Sequence, residues 1–169
     1  MLRRSALALL LALPAGVRLV PAQAAPVTVF IVRHAEKGVE VPDPSLTDAG
    51  RHRAEELARV LSDAKPAALF VTEFKRTQET LAPLAAAKSL TPTRLLARDV
   101  DGLVAAIQAL PAGSQAVVAT HSNLIHLLVA RLTGMVMPEL TDLDYDRLVV
   151  VSVSGKGKGS AVVLRYGER

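Results

Sequence analysis

Histidine and arginine side chains follow short apolar segments of this sequence, in an arrangement that could bind and attack a phosphoryl group. The segments are residues 27–32 (VTVFIV), 67–72 (AALFVT) and 115–120 (QAVVAT). The residues that follow them are Arg33, His34, Arg76 and His121. If the segments are parallel strands of one sheet, these residues meet at its carboxyl edge, where open α/β sheets bind ligands. Two guanidiniums and two imidazoles there would form a phosphate site, with one imidazole available as a nucleophile.

The segments that would position these residues alternate between strand and helix patterns. Further strands are predicted over residues 93–97, 148–153 and 161–166. Helices are predicted from Thr47 to the residue before Pro66, and over residues 77–88, 101–110 and 122–132. Alternation of this kind favours an α/β fold, a doubly wound three-layer sandwich with a mostly parallel central sheet and short right-handed crossovers.

Particular residues should set the helix ends. Thr47 is predicted to be the N-cap of the first helix, and Ser122 is predicted to cap the last helix, which Gly134 should end. Pro83 lies within the second helical segment, and it favours a helix start nearer the middle of that segment.

The first 24 residues differ in character from the rest of the chain. A basic start, Leu2-Arg3-Arg4, precedes an apolar stretch and a small-x-small pattern at residues 22–24. This pattern is typical of a secretory signal peptide over residues 1–24, followed by one mature domain over residues 25–169. We therefore expect export to the periplasm or the extracellular space. An uncleaved membrane anchor is the alternative, although the apolar stretch is short for a bilayer span.

Composition excludes several classes of function. The chain has 169 residues, of which 50% are hydrophobic, which suits one domain with a sizeable core. Without residues 1–24 it has 17 basic and 16 acidic residues, and with 3% aromatic residues it lacks the signature of a nucleic-acid surface. The absence of cysteine excludes thiol catalysis and cysteine-ligated metal.

Four motifs, in order along the chain, resemble those of one family. They are Arg33-His34-Ala35-Glu36, residues 46–50 (LTDAG), residues 74–80 (FKRTQET) and residues 118–123 (VATHSN). Together they are similar to the motifs of the histidine phosphatase superfamily, branch 1, whose fold is called phosphoglycerate-mutase-like. The resemblance implies that His34 attacks phosphorus and carries the phosphoryl group until water releases it. It also implies that Arg33, Arg76 and His121 bind the phosphoryl oxygens. We expect no metal or cofactor, because His34 and His121 lie far apart in sequence and no carboxylate cluster accompanies them at metal-ligand spacing.

The physical chemistry of the two imidazoles differs under this mechanism. An attacking imidazole must be neutral at one nitrogen, whereas a phosphate-binding imidazole is more effective when protonated. We therefore predict that His34 and His121 titrate differently. By contrast, His52 and His126 are expected to have no catalytic role.

Further residues could complete the site. Ser122 and Asn123 begin a helix whose N-terminal amides can hold an anion, and Lys37 could reach the substrate or point into solvent. An alkoxide leaving group needs a proton donor, and Asp101 is the favoured candidate over Asp99. The acidic segment 142–146 could shape the rim of the pocket, bind a cation or form a solvated loop. Its charge would oppose anionic substrates if it lay close to them.

The predicted function is hydrolysis of phosphomonoesters by an exported enzyme that acts on a small phosphorylated compound. A phosphatase of phosphohistidine proteins and a non-catalytic phospho-ligand binding protein remain as alternatives, whereas a mutase is disfavoured because the short chain leaves little room for closing elements. We expect no nucleic-acid partner and no stable membrane insertion of the mature chain. Residues 38–45 and 134–146 are the segments expected to select the substrate, and no pattern indicates an oligomeric state.

Overall fold

A computed structural model describes residues 24–155 and 158–167 of the chain. The predicted signal peptide, apart from Ala24, lies outside the described residues. Within the described residues, no helix is both long and apolar enough to cross a membrane.

Six strands and four helices make up the described domain. The strands are β1 (Val27–Arg33), β2 (Pro66–Thr72), β3 (Thr93–Leu95), β4 (Gln115–Thr120), β5 (Arg147–Gly155) and β6 (Lys158–Arg165). The helices are α1 (Asp48–Val60), α2 (Lys75–Lys88), α3 (Val100–Gln108) and α4 (Ser122–Thr133). All the predicted elements are present, and the differences are confined to their ends.

The strands form one sheet in the order β3-β2-β4-β1-β5-β6. The first four strands in this order are parallel to one another, while β5 is antiparallel to β1 and β6 is antiparallel to β5. The mostly parallel sheet predicted from the alternating pattern is therefore confirmed.

Helices cover both faces of the sheet, which makes the fold a three-layer sandwich. On one face, Leu57 of α1 and Leu81 of α2 belong to a buried cluster with the side chains of the central strands. On the other face, Ile107 of α3 and Ile125 of α4 belong to a second cluster. Because the central strands are buried on both faces, their sequences are continuous apolar runs rather than alternating patterns.

The prediction for the start of α2 was wrong. The helix begins at Lys75 and continues through Pro83. Proline inside a helix removes one backbone hydrogen bond. Leu81 and Leu84, on either side of Pro83, are fully buried. Their packing offsets the lost hydrogen bond and keeps the segment in one helix.

The ends of the other helices agree with the prediction in part. The Thr47 hydroxyl accepts a hydrogen bond from Gly50 N at 3.1 Å, so Thr47 is the N-cap of α1 as predicted. Gly134 ends α4 with φ of 75°, a conformation that glycine adopts without strain. At the start of α4, however, the N-cap position belongs to His121, and Ser122 is the first helical residue. Its side chain is thereby placed at the sheet edge rather than used as a cap.

Candidate active site

The two strands that end in the histidine motifs are neighbours in the sheet. Arg33 of β1 pairs in register with Thr120 of β4, and the backbone N–H of His34 donates to Thr120 O at 2.8 Å. The chain leaves β1 towards α1 on one face and leaves β4 towards α4 on the other. A crevice opens at such a point in doubly wound sheets, and it is there that ligands bind.

This arrangement brings two imidazole rings together at the sheet edge. The ring centroids of His34 and His121 lie 5.4 Å apart, with an interplanar angle of 63°. The two residues are only 4% and 8% exposed, respectively. The predicted meeting of two histidines that are distant in sequence is therefore observed.

His34 is held in one orientation with one ring nitrogen free. Its Nδ1 lies 2.8 Å from the backbone oxygen of Ala35. Because a carbonyl oxygen only accepts, Nδ1 carries the proton and the lone pair of the neutral ring is on Nε2. Burial is the main cause that lowers the pKa of His34 to about 3; the Ala35 carbonyl opposes it, and the adjacent Arg33, His121 and Arg76 add to it. The neutral, nucleophilic form is therefore present at neutral pH.

His121 is fixed by contacts from β2 and the loop that follows it. Its Nε2 lies 3.1 Å from the Thr72 hydroxyl oxygen, and its ring centroid lies 5.4 Å from that of Phe74. Burial, followed by the charge of Arg76, lowers the pKa of His121 to about 4. The expected difference between the histidines is thus small without a ligand, because both rings are buried among the same arginines. A bound dianion would oppose these effects and favour protonation of His121.

The guanidinium of Arg33 is buried and contacts the segment between α4 and β5. Nη1 donates to Thr141 O at 2.9 Å, and Nη2 lies 3.2 Å from Oδ1 of Asp142 and 3.4 Å from the Tyr145 hydroxyl. The guanidinium carbon also lies 4.1 Å from the centroid of the Tyr145 ring. The acidic segment 142–146 therefore shapes the rim of the site, one of the three predicted possibilities.

Arg76 approaches the histidines from the start of α2. Its guanidinium carbon lies 4.2 Å from the Phe74 ring centroid, and Nη1 lies 3.5 Å from Oδ1 of Asp43. Burial lowers the pKa of Arg76 from its ordinary value, an effect opposed by the charges of Asp43 and Glu73. Arginine remains protonated under any ordinary condition, so Arg33 and Arg76 keep their positive charges.

These groups line a pocket of about 460 Å³. Seven of the predicted site residues line it: Arg33, His34, Lys37, Arg76, His121, Ser122 and Asn123. The Nε–H groups of both arginines are buried and have no hydrogen-bond acceptor among the described residues. Both guanidiniums thus carry more donors than the described residues accept, and phosphoryl oxygens are suitable acceptors for the surplus.

The predicted proton donor, Asp101, is not brought into this pocket. It lies in the first turn of α3, where its exposed carboxylate pairs with Arg131. Asp99 caps the same helix by accepting from Gly102 N at 2.8 Å. Both carboxylates are thus occupied by contacts at the start of α3, and neither lines the pocket.

Asp142 is the carboxylate that lines the pocket within the described part of the chain. It pairs with Arg33 and is exposed to solvent. Within residues 24–155 and 158–167, no group of three or more His, Cys, Asp or Glu side chains could hold a metal ion.

Several residues at the site had only weak signals in the sequence. Phe74 and Thr72 lie in or beside the third motif, yet nothing in their spacing indicates a contact with His121. Asp43, which pairs with Arg76, and Arg98, which lines the pocket, lie in loops. A loop has no periodicity from which the direction of a side chain could be predicted. Tyr145 belongs to the acidic segment, whose unusual composition was the one available signal.

Solved structures of known proteins share this fold. A protein histidine phosphatase SixA complexed with tungstate is 23% identical, with a TM-score of 0.62 over 82% of this chain and 95% of that one. A mycobacterial glucosyl-3-phosphoglycerate phosphatase is 14% identical, with a TM-score of 0.61 over 82% and 97%. Phosphoglycerate mutase from Plasmodium falciparum is 16% identical, with a TM-score of 0.57 over 85% and 91%. The sequence matches none of the curated proteins with which it was compared.

Fold and site together define an α/β protein of the phosphoglycerate-mutase-like class, with two histidines and two arginines at the carboxyl edge of its sheet. Residues 29–98 match the model of the histidine phosphatase superfamily, branch 1. This match confirms the predicted resemblance to the superfamily. The matched residues include His34 and Arg76, whereas the motif with His121 lies beyond them.

Proposed function

We propose that this protein is a phosphatase that uses His34 as its nucleophile. Nε2 of His34 forms a bond to phosphorus while the bond to the leaving group breaks, and the leaving group departs with the electron pair. Water then attacks phosphorus, which releases inorganic phosphate and restores the imidazole. Arg33, Arg76 and His121 neutralise the charge that the phosphoryl oxygens carry in both steps.

One observation carries this proposal. The two imidazoles lie 5.4 Å apart beside two guanidiniums, and His34 is oriented by the Ala35 carbonyl so that Nε2 remains free. A lone histidine in a pocket has many structural explanations. A neutral imidazole among fixed cations that bind oxyanions fits in-line attack on phosphorus.

The leaving group decides between two substrate classes. Among the described residues that line the pocket, the one carboxyl group is that of Asp142, which is exposed and paired with Arg33. The protein is therefore better suited to substrates whose leaving group departs without protonation by an acidic side chain. Phosphohistidine is such a substrate, because its second ring nitrogen takes a proton from solvent and the leaving group then departs as a neutral imidazole. The similarity to SixA, a protein histidine phosphatase, supports this second candidate beside the phosphomonoesters.

The covalent intermediate is the direct test of the nucleophile. The protein is mixed with a ³²P-labelled substrate, quenched in alkali, and examined for base-stable, acid-labile label. We expect label on the wild type and on His52→Ala, which changes an exposed histidine of α1, but none on His34→Ala. The His34→Ala variant should also lose turnover, and near-normal activity in that variant would refute the mechanism.

A panel of leaving groups tests the substrate class. We expect phosphohistidine peptides and p-nitrophenyl phosphate to be hydrolysed faster than simple alkyl phosphates at neutral pH. Equal rates for alkyl phosphates would show that a proton donor reaches the pocket. Tight binding of phosphate without hydrolysis of any member would instead favour the non-catalytic binding protein.

Export is a separate part of the proposal, and it rests on the sequence of residues 1–24. N-terminal sequencing of the protein recovered outside the cytoplasm is expected to begin after Ala24. Recovery with residues 1–24 intact and membrane-bound would favour the uncleaved anchor.

A further inference from the structure

The segment between α4 and β5 places a carboxylate where the proposed function needs a phosphoryl oxygen. Oδ1 of Asp142 lies 3.2 Å from Nη2 of Arg33, and both residues line the pocket. The Arg33 side chain is 4% exposed, whereas that of Asp142 is 95% exposed. One partner of this ion pair is therefore fixed in the protein, and the other is free to move into solvent.

The two terminal nitrogens of Arg33 differ in the length of their hydrogen bonds. Nη1 donates to Thr141 O at 2.9 Å, and the guanidinium stacks on the ring of Tyr145. Nη2 makes longer contacts, at 3.2 Å to Asp142 and 3.4 Å to the Tyr145 hydroxyl. Because N–H···O bonds are optimal near about 2.9 Å, Nη2 is the donor that is most easily transferred to another acceptor.

The carboxylate beside the second arginine is held differently. Both oxygens of Asp43 accept from the backbone N–H of Lys75, at 3.2 and 3.1 Å, and its side chain is 27% exposed. Asp43 is thus anchored to the start of α2 independently of Arg76. Asp142 has no hydrogen-bond partner other than Arg33 among the described residues.

We propose that Asp142 is an internal counterion that the phosphoryl group displaces from Arg33. In the free protein it neutralises a buried guanidinium, for which the described residues offer no other carboxylate partner. When a phosphoryl group binds, Nη2 exchanges Asp142 for a phosphoryl oxygen, and Asp142 turns into solvent. When phosphate leaves, Asp142 returns. This exchange lowers the affinity for phosphate and favours product release, and it rests on the proposed function of Arg33.

Effective concentration explains why an exposed carboxylate can compete with phosphate for Arg33. Asp142 is tethered beside Arg33, so it competes at a high local concentration even though the pair itself is weak. A phosphoryl dianion still prevails, because it has more charge and several oxygens with which to reach Arg76 and His121 as well.

The test compares two carboxamide variants in which the side-chain shape is retained. The dissociation constant of inorganic phosphate is measured by calorimetry for the wild type, Asp142→Asn and Asp43→Asn. Asp48→Asn is the matched control, because Asp48 is also an exposed aspartate paired with an arginine, but it lies on α1 and does not line the pocket. We expect Asp142→Asn to bind phosphate three- to tenfold more tightly and Asp48→Asn to bind it like the wild type.

Asp43→Asn distinguishes exchange from a general effect of charge. Removal of either carboxylate makes the pocket more positive. Equally tighter phosphate binding in both variants would therefore overturn the proposed exchange, because charge alone would explain it. We expect no tightening in Asp43→Asn, because this variant loosens the anchor of α2. Unchanged or weaker phosphate binding in Asp142→Asn would also overturn the proposal, since Asp142 would then only position Arg33.

A spectroscopic measurement follows the carboxylate itself. The ¹³C resonance of the Asp142 carboxyl group is expected to move towards that of a free aspartate when phosphate is added. A resonance that phosphate leaves in place would contradict displacement. Phosphate binding needs no hydrolysis, so a wild type that binds phosphate without turnover would refute the proposed phosphatase and still test the exchange. A wild type without phosphate binding would refute both.

Discussion

The hydroxyl oxygen of Thr72 lies 3.1 Å from Nε2 of His121, and it thereby joins the end of β2 to the histidine that follows β4. The same hydroxyl oxygen lies 2.9 Å from that of Thr77 in α2. The orientation of His121 therefore depends on a buried chain of hydroxyl groups that belongs to the neighbouring strand and helix.

Replacement of Thr72 by valine should reduce activity more than stability. The valine keeps the volume of the side chain but removes the hydrogen bond, which is worth about 1 kcal/mol. We expect kcat/KM to fall by about fivefold to tenfold in Thr72→Val. Thr93→Val, on the exposed surface of β3, is the control. An unchanged kcat/KM in Thr72→Val would show that packing against Phe74 suffices to hold His121.

The stability of the protein should fall in mild acid. The pKa values of His34 and His121 are lowered from 6.5 to about 3 and about 4. Between pH 6.5 and these values the unfolded chain binds protons that the folded chain excludes, so the free energy of unfolding decreases as pH falls. We expect a loss of roughly 2 kcal/mol per histidine between pH 7 and pH 5.

Denaturant unfolding at several pH values measures this loss. His121→Gln should show a smaller decrease between pH 7 and pH 5 than the wild type, because one of the two buried imidazoles is gone. His52→Gln should behave like the wild type, since His52 is exposed on α1. Identical pH profiles for all three proteins would mean that protonation of the buried rings does not destabilise the folded protein.

The second arginine should not tolerate replacement by lysine. Lys keeps the positive charge but lacks the planar fork that binds two phosphoryl oxygens and stacks on Phe74. We expect Arg76→Lys to weaken phosphate binding by about tenfold or more. Arg131→Lys, at an exposed ion pair on α4, is the matched control and should bind phosphate normally. Normal binding in Arg76→Lys would show that charge alone is required.

The surface position of Asp101 predicts that its carboxyl group is dispensable. We expect Asp101→Asn to change the rate of alkyl phosphate hydrolysis by less than about twofold, because the variant loses only an exposed ion pair with Arg131. A large decrease for alkyl phosphates, without a decrease for p-nitrophenyl phosphate, would restore Asp101 as the proton donor. The comparison of the two substrates therefore decides the role of this residue.

The sequence by itself determined the parts of this protein that depend on local patterns. Apolar runs predicted the strands, because strands buried on both faces need continuous apolar sequences. Parallel strands bring the residues that follow them to one edge, so the meeting of His34, Arg76 and His121 followed from the order of the elements. The family resemblance rested on the same four motifs and needed no knowledge of loop geometry.

Only the tertiary structure decided which side chains surround those residues. The counterions Asp43 and Asp142 come from loops, whose direction no periodicity records. The proton donor expected on α3 pairs instead with Arg131 of α4, a contact between two helices that no local pattern predicts. The similar, lowered pKa values of His34 and His121 could also be inferred only from the structure. Burial causes most of each shift, and burial is a property of the packed molecule rather than of any one segment.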